Sequence, residues 1–390
     1  MLGKNRFLLL VLSAGMVIFL LTGILMGRVL AREGNLYSYL KLFNEALHLI
    51  ENNYVESVGT DRLLEGAYQG LFEGLDPMSE FLTRADYREV LESGTIPGTG
   101  IGLALSRVRG YLSVVSVWPG SPAAEAELAT GDQVLRIADH STRGLSLVAA
   151  ARHLRGEPGT LVRLLVMRAR WSAPKEISIT RSAPPPSWSA RVLPRNIGYI
   201  RLLDFPEDST AHLEASLGEF RESGIRNLIL DLRNNAGVGF PTALEVARLF
   251  MQPGPVAWLE GKNETRVLWA EQDGQPVWSD PLLVLVNRGT AAGGELIAAA
   301  LQASGRSSLM GESTYGLGTR STLYPLPDGS AVRLSTDRIL PPEGEGWHKE
   351  GLEPDWTVGE DLGDDDFLSE ATDILLNGKR KKDDHEKEAA

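Results

Sequence analysis

Residues 282–320 read LLVLVNRGTAAGGELIAAALQASGRSSLMGESTYGLGTR, and this segment carries the strongest structural signal in the chain. The run Leu282–Val286 has the length and composition of a buried strand, and a turn signal follows at Asn287. Small apolar residues around Leu296 then recur at helical spacing. A strand, a tight turn and a helix present a turn residue at a helix N-terminus, where backbone N–H groups favour negative charge. Hydrolases place nucleophiles on such turns.

The same segment resembles the carboxyl-terminal processing, or tail-specific, serine proteases. Their motif runs N-x-G-S-A-S-A-S-E-I, then a helix of small residues, then G-x-x-T-F-G-K-G and a Gln. This chain matches the frame without a gap, and the residues in register are Asn287, Gly289, Ala291, Glu295, Gly311, Thr314, Gly316 and Gly318. The resemblance extends over about residues 35–360 and implies the fold of these proteases.

The residues that would perform catalysis are missing from this frame. The position of the family's nucleophilic Ser is Ala292, and that of its Lys base is Leu317. The Gln that helps to position the Lys aligns with Ser321, and an Asp of the helix aligns with Ala303. A Ser–Lys dyad needs an oxygen nucleophile and a neutral amine within hydrogen-bond reach, so no catalytic residue is expected. Thr290 is the candidate substitute nucleophile, and the alternative is that it is a cap or turn residue.

A second family motif is also altered. The segment LILDLRNNAG resembles the family's N-N-P-G-G loop, whose backbone amides lie beside the oxyanion. Here the former oxyanion loop contains Ala236 and Gly237, followed by Val238. The loss of the Pro and of the second Gly adds a side chain where backbone should approach the substrate closely. Asp231 and Arg233 are predicted to form a structural ion pair.

Composition excludes several classes of function. The chain has 390 residues and a net charge of −12, which argues against a nucleic-acid partner. It has no Cys, so disulfides, thiol catalysis and thiolate zinc sites are excluded. The six His residues have no ligand spacing typical of a metal site. We therefore expect no metal and no cofactor.

The N-terminal residues 1–34 are predicted to be a transmembrane anchor or a signal segment. Phe7 to Gly27 is mostly apolar and long enough to span a bilayer as a helix. Val29-Leu30-Ala31 is a passable cleavage site, so removal as a signal peptide remains an alternative. The flanking charges barely decide orientation. The family resemblance implies a single-pass protein of the inner (cytoplasmic) membrane with an extracytoplasmic, periplasmic body.

Residues 35–92 are predicted to be a helical segment, with an apolar stripe from Leu36 to Ile50 and a second helix around Leu64. Leu75-Asp76-Pro77 ends that helix. The segment resembles the helices that precede the PDZ domain in the same proteases. In those proteases, this region contributes to the contact between two subunits. A homodimer, or a hetero-oligomer with an active relative, is therefore one expectation. A helical hairpin that covers an edge of the core is the other.

Residues 93–183 resemble a PDZ domain, with short strands, turn signals and one helix in the appropriate order. The resemblance implies that backbone N–H groups of the loop Gly100, Ile101, Gly102 and Leu103 hold a peptide's terminal carboxylate. The peptide would add as a strand at the sheet edge. We expect an apolar pocket lined by Leu103, Leu105 and the helix at 147–154; a simple glycine turn is the alternative.

Residues 184–362 alternate strands with helices, which predicts βαβ units and a core like that of the tail-specific proteases. Residues 363–390 are predicted to complete a helix and end in a disordered charged tail. The fold class is therefore multidomain α+β: a transmembrane helix, a helical segment, a PDZ-like β domain and an α/β protease-like core. Two functions follow: a membrane-tethered pseudoprotease that binds peptide or protein C-termini, or a serine-type endopeptidase with an unrecognised nucleophile.

Overall fold

A computed structural model gives the structure of the chain and describes residues 36–93, 99–108, 110–270, 275–343, 345–358 and 362–378. The predicted membrane segment, Phe7 to Gly27, and the charged tail after Gly378 lie outside the described residues. Among the described residues, no helix combines the length and the hydropathy needed to cross a membrane.

The N-terminal part of the described chain is mainly helical. Residues 36–53 form α1, and α2 (Thr60–Glu73) and α3 (Arg84–Ser93) follow. A boundary between two structural units falls between Tyr68 and Gln69. The prediction of helix alone up to residue 92 is wrong at β1 (Glu80–Leu82), which pairs antiparallel with residues 331–333.

The buried side chain of Glu80 in this strand contacts residues distant in sequence. Its carboxylate lies 2.9 Å from Arg333 Nη2 and 3.6 Å from Arg107 Nη2. It also accepts a hydrogen bond from the backbone N–H of Leu147 at 2.8 Å. A buried carboxylate needs such partners, and these partners come from residues distant in sequence. Periodicity within the segment could not reveal them.

The predicted PDZ-like region is a twisted antiparallel sheet with two helices. Its described strands are β2 (Leu103–Val108), β3 (Tyr111–Val117), β4 (Gln133–Ile137), β5 (His140–Ser141), β6 (Leu161–Met167) and β7 (Lys175–Thr180). The order is β2-β3-β4-β6-β7, with β5 beside β4. The helices are α4 (Pro122–Glu125) and α5 (Leu147–Leu154), and each begins with a Ser cap. In this arrangement β2 is an edge strand.

The protease-like core is built on a mostly parallel sheet. Its described strands are β8 (Trp188–Leu193), β9 (Ile197–Leu202), β10 (Asn227–Asp231), β13 (Leu282–Val286), β14 (Ser308–Gly311) and β17 (Trp356–Thr357). The order is β17-β14-β13-β10-β9-β8, and only the pair β8–β9 is antiparallel. The helices α6 (Ser209–Glu222), α7 (Phe240–Arg248), α8 (Gly293–Ala303) and α9 (Asp364–Asn377) accompany it.

Both faces of this sheet are buried, which is why its central strands are continuous apolar runs. Leu228 and Leu230 of β10 belong to one apolar cluster together with side chains of α7 and α8. Ile229 lies on the other face, in a second cluster that α9 covers with Phe367 and Leu368. The sheet therefore places the turn after β13 at a rigid position.

A third sheet is antiparallel and joins distant segments. Its described strands are β1, β11 (Gly254–Gly261), β12 (Thr265–Ala270), β15 (Thr319–Pro325) and β16 (Ala331–Leu340). The predicted hairpin between 319 and 335 is confirmed as β15 and β16. The loop between β14 and β15 contains Leu317, so this sheet positions the residue that aligns with the family's Lys base.

Candidate functional site

The turn between β13 and α8 keeps the backbone of a nucleophile turn. Ala292 has φ 48° and ψ −111°, a conformation that a residue with a Cβ adopts only under strain. Asn287 stabilises the turn: its Oδ1 accepts the N–H of Gly289 at 3.0 Å and that of Asn234 at 2.9 Å. Such strain is common at catalytic residues, yet this residue is an alanine.

Ala292, Leu317 and Ser321 line one cavity of about 250 Å³. Among the described residues that line it, there is no Lys and no His. The cations present are Arg320, which binds Asp337 at 2.7 Å, and Arg333, which lies against Glu80. An Arg guanidinium does not lose its proton in proteins and cannot act as a base. The lining therefore offers hydroxyl groups with no general base beside them.

Leu317 is packed rather than exposed. Its side chain is 6% exposed and belongs to an apolar cluster that also contains Ile101 and Val114 of the PDZ-like region. Ala291 lies in the same cluster, and Ala292 packs against it. The position that would hold an amine is thus part of a continuous apolar core between two regions of the chain.

Thr290 stabilises the turn with a buried, hydrogen-bonded hydroxyl. It is fully buried, and its Oγ1 donates to the carbonyl oxygen of Leu232 at 2.8 Å and accepts the N–H of Asn287 at 3.0 Å. These contacts fix the turn. No amine or imidazole contacts this hydroxyl among the described residues.

Glu295 connects the two altered motifs, a role that sequence reasoning missed. Its carboxylate accepts the N–H groups of Ala292 at 3.1 Å, Gly316 at 2.6 Å and Leu317 at 2.8 Å. The hydroxyl of Thr314 also donates to it, at 2.5 Å. Burial raises the pKa of Glu295 to about 7, and these four donors oppose the rise. The signal was present in the sequence, because Glu295 and Thr314 are both frame residues of the motif.

The loop at Ala236 and Gly237, which aligns with the family's oxyanion loop, is hydrogen-bonded to the turn. The N–H of Gly293, the residue after Ala292, donates to the carbonyl oxygen of Gly237 at 3.0 Å. The N–H of Gly237 donates to Asn235 Oδ1 at 3.1 Å. Both groups are therefore occupied by the protein itself, whereas an oxyanion hole needs free donors. A Cβ on Gly293 would lie only 2.8 Å from the Gly237 oxygen, which shows how close the two segments are.

The predicted ion pair of Asp231 and Arg233 is confirmed. Arg233 Nη2 lies 2.7 Å from Asp231 Oδ2, and Arg201 and the hydroxyl of Tyr199 donate to the same oxygen. Burial opposes the charged form, but the two arginines hold the pKa of Asp231 below its usual range. This network is structural and lies at the end of β10.

The predicted carboxylate loop borders a second cavity, of about 400 Å³. Gly100, Gly102 and Leu103 line it, while the side chain of Ile101 is fully buried in the apolar cluster. Gly100 and Gly102 have φ values of 72° and 74°, which favour glycine. In the part of the chain that the structure describes, no hydrogen-bond acceptor contacts the N–H of Ile101 or Gly102. The loop is thus able to offer backbone donors to an anion.

The apolar lining matches the expectation in part. Leu105, Leu147 and Ala151 contribute, but Leu154 does not. Sequence reasoning missed the other wall, which the core supplies with Leu203, Asp204, Ala236, Gly237 and Val238. Met78 and Val238 line both cavities, so the predicted carboxylate loop and the turn at Ala292 border adjacent cavities. Only the tertiary fold could reveal this.

The described residues contain no group of three His, Asp or Glu side chains placed to bind a metal ion.

Three family models match the chain. Peptidase family S41 matches residues 196–358, a PDZ domain matches residues 113–168, and the N-terminal domain of the activating protease CtpB matches residues 29–85. The carboxy-terminal processing protease CtpA of Bacillus subtilis is 32% identical over 314 residues, which cover 80% of this chain and 67% of that protein.

Two further proteins are similar over most of the chain. A carboxyl-terminal-processing protease of Synechocystis sp. is 31% identical over 325 residues, 80% of this chain and 75% of that protein. The solved structure of a photosystem II D1 C-terminal processing protease superposes with a TM-score of 0.66 at 28% identity, over 86% of this chain and 96% of that one. This chain therefore belongs to the carboxyl-terminal processing proteases of peptidase family S41 and contains their PDZ domain.

Proposed function

We propose that this chain is a non-cleaving member of its family, which binds peptide or protein C-termini through its PDZ domain. The observation that carries the proposal is the pairing of Ala292 with Leu317 in one cavity whose described lining has no Lys or His. Neither side chain has an atom that could attack a peptide bond or accept a proton. The closed oxyanion loop points in the same direction.

The second candidate, an endopeptidase with a different nucleophile, has less support. Thr290 is its best residue, but the hydroxyl is fully buried and donates to a backbone carbonyl. A nucleophile needs an adjacent base and access to the substrate. Thr290 has neither among the described residues.

Peptide binding needs neither a nucleophile nor a general base, whereas cleavage needs both. A peptide carboxylate can be held by backbone N–H groups, and an apolar terminal side chain can fill a pocket beside Leu103, Leu105 and Leu147. The positive φ values of Gly100 and Gly102 support this role of the loop. Peptide binding through the PDZ domain is thus compatible with the loss of the dyad.

Three further parts of the proposal concern the environment of the protein. The apolar segment Phe7–Gly27 supports a membrane tether with a periplasmic body. The five ranges 1–34, 35–92, 93–183, 184–362 and 363–390 remain our proposed domains. Large apolar side chains of α1, including Leu40 and Phe43, are exposed, which supports a homodimer or a hetero-oligomer with an active relative.

Calorimetry on the full-length protein in detergent tests the binding function. Peptides with apolar C-terminal residues are compared as free acids and as C-terminal amides. We expect the acid to bind at least about tenfold more tightly, a difference of about 1.4 kcal/mol. Equal affinities would contradict carboxylate recognition, and no binding by any peptide would contradict the proposal.

Two variants locate the binding site. Leu105→Glu places a charge in the cavity and should abolish acid binding through repulsion. Leu161→Glu is the matched control, because Leu161 is exposed on β6 and does not line this cavity. Gly102→Asp is less informative, since a Cβ there would lie 2.2 Å from the Cβ of Ser121.

A further inference from the structure

The cavity beside the carboxylate loop has two walls of different character. The PDZ wall is formed by the loop and by apolar side chains of β2 and α5. The core wall includes Asp204, the residues of the former oxyanion loop and Val238. A ligand whose terminus lies at the loop would therefore extend past the protease-like core as well as along the PDZ domain.

The end of the cavity at the loop is suited to an anion. The N–H groups of Ile101 and Gly102 have no acceptor among the described residues. Arg155 lines the same cavity, and its Cγ lies close to Gly100. An ion pair with Glu89 holds the Arg155 side chain in place. Backbone donors without an acceptor favour a carboxylate at this end.

Asp204 makes the core wall of the cavity suited to a cation. Its Oδ1 accepts the N–H of Phe205 at 2.8 Å and lies against Gly237. Asp204 makes no further hydrogen bond and no ion pair among the described residues. The side chain is half-buried, and burial raises its pKa. Its second oxygen is therefore available to a cationic group of a ligand.

We propose that the preferred ligand is a protein C-terminus that ends in an apolar residue and carries a Lys or Arg shortly upstream, whose cation binds Asp204. The terminal carboxylate lies at the glycine loop, and the apolar side chain fills the pocket beside Leu103 and Leu147. The terminal carboxylate of the ligand then meets backbone donors at one wall, and its cation meets a carboxylate at the other. This inference rests on the proposed binding function and names its ligand class.

A lysine scan tests the inference directly. Fluorescence anisotropy on the full-length protein compares peptides with one apolar C-terminus, in which Lys occupies each of the four preceding positions in turn. The uncharged partner of each peptide has norleucine at the same position. At one position or two adjacent ones, Lys should bind about tenfold more tightly than norleucine, because a charged, partly buried hydrogen bond contributes about 1.5–3 kcal/mol.

Two variants assign the preference to one side chain. Asp204→Asn keeps an acceptor for the N–H of Phe205 and should bring Lys and norleucine peptides within about twofold of each other. The norleucine peptide should bind this variant as it binds the wild type. Asp208→Asn is the control, because Asp208 is exposed, pairs with His212 and does not line the cavity. It should leave the Lys preference unchanged.

The outcomes separate this inference from the binding function itself. Equal affinities for Lys and norleucine at every position, or a preference that persists in Asp204→Asn, would overturn the inference while peptide binding stands. A loss of all peptides by Asp204→Asn would assign it a structural role and also overturn the inference. If neither peptide series binds the wild type, the proposed function and the inference both fail.

Discussion

The N–H of Gly293 donates to the carbonyl oxygen of Gly237 at 3.0 Å, so the turn that would present a nucleophile is bound to the loop that would stabilise an oxyanion. In an acyl-transfer enzyme such donors point to the substrate oxygen. Here the protein uses them internally, and Ala292 and Leu317 lie beside them without reactive atoms. The differences from the family's catalytic motifs thus involve backbone donors as well as two side chains.

Restoring the dyad alone should leave the protein almost inactive. Ala292→Ser with Leu317→Lys supplies nucleophile and base, but the oxyanion donors remain occupied. Adding Ala236→Pro and Val238→Gly should raise cleavage of a fluorogenic peptide at least about hundredfold over the double variant, the typical effect of one oxyanion donor. Circular dichroism checks that both variants fold. A double variant as active as the quadruple one would refute this role of the loop.

The strained backbone at Ala292 should lower the free energy of unfolding without any catalytic benefit. Ala292→Gly relieves a strained conformation, which stabilises the fold by about 1–3 kcal/mol. The greater backbone freedom of Gly in the unfolded state opposes this by about 0.5–1 kcal/mol. We expect the free energy of unfolding to rise by about 1 kcal/mol in urea titrations. Ala303→Gly, at the end of α8, is the control and should lower stability. A loss of stability in Ala292→Gly would mean that φ 48° is not strained in this setting.

Leu317 should contribute to stability through its apolar contacts. Leu317→Lys places an amine in an apolar cluster and should lower the free energy of unfolding by at least about 2 kcal/mol. Leu317→Met conserves volume and should cost less than about 1.5 kcal/mol. Thermal and urea unfolding measure both. Equal effects of Lys and Met would show that the side chain at 317 reaches solvent.

Glu295 should make stability depend on pH in a defined direction. Its folded-state pKa is raised from 4.5 to about 7, so the protonated form is favoured by folding. The stability that this adds is present below about pH 4.5 and is lost as pH rises through about 7. Between about pH 5 and pH 8, wild type should lose at least about 1.4 kcal/mol relative to Glu295→Gln, which has no titrating group there. A difference that stays constant or grows with pH would contradict the raised pKa.

The elements that follow from local pattern were predictable. The strand Leu282–Val286 lies where its apolar run ends at Asn287, and α8 begins after the small-residue turn. Both are specified by residues close in sequence. The positions Ala292 and Leu317 could be compared because the motif has no gap. Their common cavity then follows from the shared fold.

The elements that depend on distant partners were not predictable. The strand Glu80–Leu82 pairs with residues 331–333, and its buried Glu80 carboxylate lies beside Arg107 and Arg333. Asp204 has no motif, and its place opposite the glycine loop depends on how the PDZ domain packs against the core. The hydrogen bond from Gly293 to Gly237 joins two backbone segments. Because both residues are glycines, no side chain in the sequence indicates this contact.

The most direct test of the central claim combines binding and cleavage in one sample. A peptide with an apolar C-terminus is incubated with the full-length protein above its measured dissociation constant, and mass spectrometry then follows the peptide mass. We predict that the peptide binds and remains intact, at the level of a sample without protein. Cleavage that disappears in Thr290→Ala, with binding retained, would contradict the account and identify an active protease.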